Sequence, residues 1–244
     1  MKDLCIEPDW PAPKGVRALQ TTREGGVSQG PWRSLNLGEH SGDEVEHVRQ
    51  NRQRLAALLP ARPAWPRQVH GNRVLSHAQV SEGARDADAV YASGPGQVCG
   101  VLTADCLPVL FTDRDGGQVA VAHAGWRGLA AGVLEQTVAS MRADPGALLA
   151  WLGPAIGPDH FQVGPEVREA FLAWGPDAGQ AFEPDGDAWL ADLYLLARQR
   201  LAGVGVTAVF GGGLCTVCDA GRFFSYRRDG QTGRMGTLVW KESG

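Results

Sequence analysis

The stretch Val98–Leu129, VCGVLTADCLPVLFTDRDGGQVAVAHAGWRGL, decides the fold. It holds two apolar runs, Val98–Leu102 and Val109–Phe111, a turn at Asp113–Gly117 and a third run, Val119–Ala122. Each run is short and stops at small or polar residues, the pattern of buried β-strands feeding tight loops. Polar residues gather at the breaks: Thr103, Asp105 and Cys106 after the first run, His123 and Arg127 after the third. A Cys and a His 17 positions apart, each at a strand end, can meet across neighbouring strands. A rigid sheet presents a metal site or a nucleophile in this way. A cysteine between strands is also often just a small buried hydrophobe. Asp105 and Arg127 weigh against that plainer reading, because unpaired charges are costly in a core. The cluster calls for a solvent cleft or a ligand.

The rest of the chain sets the bounds. Its 244 residues can bury a substantial core without staples. With 33 glycines and 15 prolines, short elements and many loops are expected rather than long helices. The net charge of −4, without a long basic run, argues against a nucleic-acid track and leaves nucleotide-sized ligands open. The N-terminus lacks a signal-peptide core and no segment is apolar enough to span a membrane, so the expected location is the cytoplasm. Five scattered cysteines make no disulfide framework. Cys215-x-x-Cys218 has no second CxxC to complete a four-cysteine zinc site.

Outward from the central stretch, residues 1–15 read as an edge extension and Val16–Thr21 as a strand leading into a Gly-rich loop at 23–32. The polar segment Leu35–Asp43 reads as a loop placed against something specific. Val45, Val48, Leu55, Leu58 and Leu59 recur at helical spacing, with Asn51 and Arg52 on other faces and Asp43 as N-cap. A short strand at Ala64–Val69 would end at His70-Gly71, another histidine at a strand end. Asp86 and Asp88 lack partners nearby in sequence. After His123 a helix starting near Trp126–Gly128 carries Leu129, Val133, Leu134, Val138 and Met141 on one face. Its free N–H groups would suit an anion. Then follow a strand at Leu148–Leu152, helices at Pro165–Trp174 and Leu190–Ala202 (Asp187 as N-cap), and strands at Val204–Phe210 and Met235–Trp240. No repeat or linker divides residues 1–244, which read as a single domain. The order predicts an α+β fold, a mixed-sheet α/β sandwich, rather than a doubly wound sheet.

One ordered series of motifs runs through these elements: Leu35-Asn36-Leu37-Gly38, Asn51-Arg52, Gln68-Val69-His70-Gly71, Thr103-Ala104-Asp105-Cys106-Leu107-Pro108 and His123-Ala124-Gly125-Trp126-Arg127-Gly128. It continues with Gly153-Pro154-Ala155-Ile156-Gly157, Phe224-Ser225-Tyr226-Arg227-Arg228 and Thr232-Gly233-Arg234. From about residue 16 to 240 the sequence resembles the YfiH-type laccase-domain family, once called multicopper polyphenol oxidases and now regarded as purine nucleoside phosphorylases. The resemblance implies a zinc ion held by His70, Cys106 and His123, with a fourth position open. It implies phosphorolysis of adenosine, inosine, guanosine and 5′-methylthioadenosine to the base and a ribose-1-phosphate, with adenosine deamination as a further activity. Its partners would be purine nucleosides and phosphate, with no nucleic acid or membrane, in a monomer or homodimer.

That chemistry assigns roles. Arg52, Arg127 and Arg227 (with Arg228 beside it) suit phosphate, Tyr226, Trp126 and Phe224 could stack on a purine, and Asn36 could bond a base edge or its own loop. Asp105 beside Cys106 is the first expected proton carrier, with His40 and Asp88 behind it; Asp105 could instead orient a ligand histidine. Six histidines with no His-x-His pair do not build a multicopper centre, though copper could bind the same trio in vitro. Two other classes remain. One is a cysteine- or zinc-dependent hydrolase, such as an amidase editing peptidoglycan precursors, with Cys106 as the nucleophile in the cysteine form. The other is a non-catalytic metal-stabilised binding domain with Cys215 or Cys218 as fourth ligand.

Overall fold

The computed structural model describes residues 4–242. Before the central stretch come strands β1 (Cys5–Ile6), β2 (Val16–Thr21), β3 (Val74–Ser76) and β4 (Ala89–Ala92), with helices α1 (Val45–Ala56) and α2 (His77–Ser81). The central stretch folds into β5 (Cys99–Thr103), β6 (Leu107–Asp113), β7 (Val119–Ala124) and α3 (Trp126–Ala130). After it come α4 (Val133–Ser140), β8 (Leu148–Leu152), β9 (Gln162–Val163), α5 (Pro165–Leu172), β10 (Phe182–Asp185) and β11 (Ala188–Ala191). The chain closes with α6 (Leu193–Gly203), β12 (Ala208–Gly211), α7 (Tyr226–Asp229) and β13 (Met235–Lys241).

The architecture is the expected mixed-sheet α/β sandwich. One antiparallel sheet has the order β1-β2-β13-β5, and a six-stranded mixed sheet has the order β12-β8-β6-β7-β4-β3. β6 and β7 are fully paired on both sides, and their alternate residues serve two different cores. Leu110, Val119 and Val121 face the first sheet and pack with Val16, Val101 and Val239. Val109, Phe111, Ala120 and Ala122 face the other way, under Leu134, Val138, Leu196 and Leu201 of α4 and α6. Burial on both faces explains why these strands read as unbroken apolar runs.

The three apolar runs do not share one sheet. β5 belongs to the four-stranded sheet, and β6 and β7 to the six-stranded one. The residues between them, Ala104-Asp105-Cys106, therefore cross from one layer to the other. Asp105 makes the crossing with φ of 90°, a left-handed conformation that costs a non-glycine residue about 1–3 kcal/mol unless its surroundings hold it.

Elsewhere the structure corrects the sequence reading. No strand forms at Ala64–Val69. Pro60, Pro63 and Pro66 offer no N–H donors, and only the isolated bridges Ala64–Cys99 and Arg67–Asp86 form. Helix α1 is capped at Glu44, because the Asp43 carboxylate is spent on Ser28 Oγ (2.6 Å) and Asn36 Nδ2 (2.9 Å). Val45 is exposed, and Asn51 takes the inward position between Val48 and Leu55. The helix after His123 breaks at Gly132, whose φ is 90°. The expected helix at Leu190–Ala202 starts at Leu193 with Asp192 as cap, and Asp187 turns the β10–β11 hairpin instead. The strand expected at Val204–Phe210 begins only at Ala208.

The Asn51 amide is the hub that binds α1 to the preceding loops. Its Oδ1 accepts from Val27 N–H (2.8 Å), and its Nδ2 reaches Ser28 Oγ and the carbonyls of Ser34 and Asn36. Asn51→Ala strands these buried and half-buried partners, and urea unfolding should show about 3 kcal/mol lost. An unchanged unfolding midpoint would show that the network carries little energy.

Candidate active site

His123 stands at the end of β7, opposite Pro108 of β6. The strand's period of two puts it on the same side as Val119 and Val121, so an imidazole replaces the next core valine where the sandwich opens. Cys106 sits at the end of the crossing between sheets. His70 lies on a loop in a left-handed conformation, φ 60°. Gln68 holds that loop to the end of β5, accepting from Leu102 N–H (2.8 Å) and donating to Leu102 O (2.7 Å).

The Cys106 sulfur and ring nitrogens of His70 and His123 lie within 4.8 Å of one another. Cys106 Sγ is 4.0 Å from His70 Nε2, and the two imidazoles meet edge to face at 4.8 Å between centroids. Gly125 makes room, since a Cβ there would stand 2.9 Å from the sulfur.

Behind the trio lies Asp88, which is fully buried. Its carboxylate accepts from the N–H groups of Val69 (3.2 Å), His70 (2.9 Å) and Gly71 (2.7 Å). It also faces His123 Nδ1 at 2.8 Å. A proton on Nδ1 leaves Nε2 as the ligand atom, the arrangement by which a carboxylate fixes a metal-binding histidine.

Protonation follows from these contacts. Burial would raise the Asp88 carboxyl, but the His123 hydrogen bond and charge and the Gly71 and Val69 N–H groups bring it below its ordinary 3.8. Burial would also raise the Cys106 thiol. The charge of His123 and hydrogen bonds from His123 and His70 prevail and bring it from 9.0 to about 6. His123 moves oppositely: burial would lower it, while the charge of Cys106 and the bond to Asp88 raise it from 6.5 to about 9. One thiolate and two imidazoles fit a catalytic zinc with an open position.

The trio opens onto a cleft of about 1150 Å³. His40, Arg52, Asp105, Arg127, Tyr226 and Arg227 all line it, as does Trp126. Their freedom to act differs. Asp105 is not a free base: one carboxylate oxygen accepts from Thr216 Oγ1 (2.5 Å), the other from Arg227 N–H (2.7 Å). The Arg227 guanidinium is spent on the carbonyls of His160 and Gln162, and that of Arg52 on Leu37 O and Glu39. Arg228 pairs with Asp229 and caps the carbonyls of Thr216 and Phe223. Arg127 is exposed, lies over the Trp126 ring at 4.3 Å and makes no ion pair among the described residues. Tyr226 is 60% exposed at the rim, and His40 is exposed there too. Phe224 is fully buried in a core cluster, out of reach of a ligand. Asn36 is buried away from the cleft, its amide satisfied by Gly38, Ser41, Asp43 and Arg234.

Two cleft residues escaped the sequence assignment. Thr103 is 2% exposed, and its hydroxyl has no partner among the described residues. Arg234 bonds the carbonyls of Thr232 and Gly233 and feels the charges of Cys106 and Asp105. Thr103 follows an apolar run and Arg234 closes the last motif, the signals that could have singled them out. Cys215 and Cys218 do not join the trio as fourth ligands; they form a separate group with His160.

The chain matches, over residues 17–242, the model of a family described as multi-copper polyphenol oxidoreductase laccase. It is 57% identical over 237 residues to the Escherichia coli protein named purine nucleoside phosphorylase YfiH, covering 96% of this chain and 98% of that one. It is 49% identical over 243 residues to the Haemophilus influenzae protein named purine nucleoside phosphorylase, covering 98% and 99%. Among solved structures, the Neisseria meningitidis protein NMB0706 superposes with a TM-score of 0.95 at 50% identity, covering 98% and 100% of the two chains. YlmD from Geobacillus stearothermophilus superposes with a TM-score of 0.88 at 33% identity, covering 96% and 94%.

Two measurements probe the centre. Asp88→Asn keeps the shape but aims an amide donor at groups that are themselves donors, and zinc affinity measured against a chromophoric chelator should fall about 10–100-fold. In metal-free protein, iodoacetamide should label Cys106 at full rate until the pH falls to about 6. Cys99, fully buried and with its thiol pushed up by burial, should stay unlabelled. A Cys106 rate that fades already below pH 9 would mean that the histidines do not hold its thiolate.

Proposed function

We propose that this chain, which belongs to the multi-copper polyphenol oxidoreductase laccase family, is a zinc-dependent purine nucleoside phosphorylase, the activity for which its relatives are named. The observation that carries this reading is the pairing, on one cleft, of a His70–Cys106–His123 donor set with Arg127, which has no ion pair among the described residues. The cleft has room for a nucleoside and an anion together.

In this reading phosphate attacks the ribose C1′ of adenosine, inosine, guanosine or 5′-methylthioadenosine. The N-glycosidic bond breaks, and the base leaves with the bonding electrons and takes up a proton. Arg127 holds phosphate through charged N–H donors, and the Trp126 beneath it keeps the guanidinium in place. Tyr226 offers a face for the purine to stack on. His40, free at the rim, is the residue available to move a proton to the departing base. Asp105 acts by position, carrying the Arg227 backbone and the Thr216 hydroxyl. His70, Cys106 and His123 would hold a zinc ion, which would supply the Lewis acidity that deamination of adenosine to inosine requires.

A second reading has one observation in its favour. The lowered Cys106 thiol beside His123 is also what a cysteine hydrolase would need.

Metal analysis combined with a phosphate-dependent assay on adenosine and inosine tests both readings. Cys106→Ala should lose one zinc equivalent together with base release. Arg127→Met should raise the KM for phosphate about 10–100-fold, the effect of losing a charged hydrogen bond. If base release needs no phosphate, or if metal-free protein acylates Cys106 with an amide analogue, the phosphorylase assignment fails and the hydrolase takes its place.

A further inference from the structure

The CxxC pair left unused by the cleft belongs to a second cluster. Cys215, Cys218 and His160 bring their ligand atoms within 4.8 Å of one another, and His160 Nε2 stands 3.1 Å from Cys218 Sγ. Two backbone N–H groups point at the Cys215 sulfur, from Gly157 (3.3 Å) and from Cys218 (3.4 Å). Such donors stabilise a thiolate and orient its lone pairs. Gly157 permits the approach, since a Cβ there would lie 3.1 Å from that sulfur.

The two segments carrying these ligands are held in place independently of any metal. Ala155 bridges to Cys215, with Ala155 N–H donating to Leu214 O (3.1 Å) and Thr216 N–H to Ala155 O (2.9 Å). The buried Tyr194 hydroxyl, which accepts from Ala155 N–H, contacts the carbonyls of Gly153 and Leu214 between them. The cluster borders a cavity of about 390 Å³ that Asp159 and Asp219 also line. Cys218 is exposed, so an ion has an entry path.

We propose that His160, Cys215 and Cys218 form a second metal site, selective for a soft divalent cation of the zinc class, with its remaining position filled from solvent. Two thiolates and one imidazole are the donor chemistry of zinc. Binding displaces one proton from each thiol and converts two S–H groups into two sulfur–metal bonds. The surroundings favour a cation. Asp159 and Asp219 line the same cavity as the two cysteines and bring negative charge to it.

The site would staple the back of the cleft wall. The His160 carbonyl accepts from Arg227 (2.9 Å), whose N–H donates to Asp105 (2.7 Å). Thr216, next to Cys215, bonds the other oxygen of that carboxylate. Metal at His160 therefore ties both segments to the loop that ends in Cys106. Its role is positional, since none of its ligands lines the catalytic cleft.

Zinc and cobalt binding by the full chain tests the site. After dialysis against Zn²⁺, wild type should carry two metals, Cys106→Ala one, Cys218→Ser one and the double variant none. Cobalt-loaded Cys106→Ala should keep the thiolate-to-cobalt absorption of a two-sulfur site, and the Cys106→Ala/Cys218→Ser double variant should lose that band. Cys218 is exposed, so its serine variant should fold, and His160→Asn gives an independent loss of the same metal. The proposal is overturned if wild type binds one zinc that disappears in Cys106→Ala. It is equally overturned if peptide mapping of protein kept under reductant finds Cys215 and Cys218 joined as a disulfide.

Discussion

A single buried carboxylate organises the candidate site. Ionised Asp88 has about four acceptor positions, and four donors converge on it: the consecutive N–H groups of Val69, His70 and Gly71, and the His123 ring. Burying an isolated charge would cost several kcal/mol, about as much as a small domain's net stability. The donors offset that cost only if the 69–71 loop curls tightly around the carboxylate. The curl puts His70 into its left-handed conformation and turns its imidazole toward Cys106. One carboxylate thus sets the position of one histidine through the backbone and the orientation of the other through its side chain.

What could be read from the sequence follows the range of the forces involved. Val16–Thr21 and Leu148–Leu152 were legible to the residue, because burial on both faces or a clean break at each end marks a strand locally. The layer change between Thr103 and Leu107 was not, because nothing in the polarity of Ala104-Asp105-Cys106 says which sheet each flanking strand joins. The end of β11 reads as the start of a helix at Leu190, with Asp187 as its cap, because Leu190 continues the apolar spacing of α6; Gly186, at φ 62°, turns the chain into a hairpin there instead. At the site, Cys106 and His123 stood out by their strand-end positions, and the structure brings them together. Asp88 looks like a carboxylate without a partner because its partners lie far off in sequence, in the loop at Val69–Gly71 and 35 residues on at His123 of β7, the strand that pairs with β4. Asn36 has two readings in the sequence, a base edge or its own loop, and its contacts match the second. It has the right chemistry for a base edge, but its donors and acceptors are already used.

The arginines of the cleft divide by the same accounting of donors. Arg52 and Arg227 spend their guanidinium groups on carbonyls and a carboxylate, so they shape the walls. An arginine so engaged could bind phosphate only by giving up those bonds, which would leave these carbonyls short of a donor. Arg127 carries no such debt, and its position over Trp126 limits the rotamers it must give up on binding. The hydroxyl of Thr103, without a partner among the described residues, adds a further polar group on the same cleft. An unsatisfied buried group in a cleft is what a ligand-binding wall has before its ligand arrives.

Donor chemistry also bears on the tension between a family described by copper and relatives named as phosphorylases. Two imidazoles and a thiolate would bind copper as well as zinc, and the Irving–Williams order favours copper if it is offered. Affinity alone therefore does not choose the function. Phosphorolysis and deamination leave every oxidation state unchanged, so a redox-inert ion is sufficient for them. Oxidation of a polyphenol would need electrons passed on from a first copper to others, and that requires further nitrogen-rich centres within reach. Among the described residues the other group that could hold a metal offers two thiols and a single imidazole. That set favours zinc too, so neither cluster supplies the histidines that a relay of copper ions would demand.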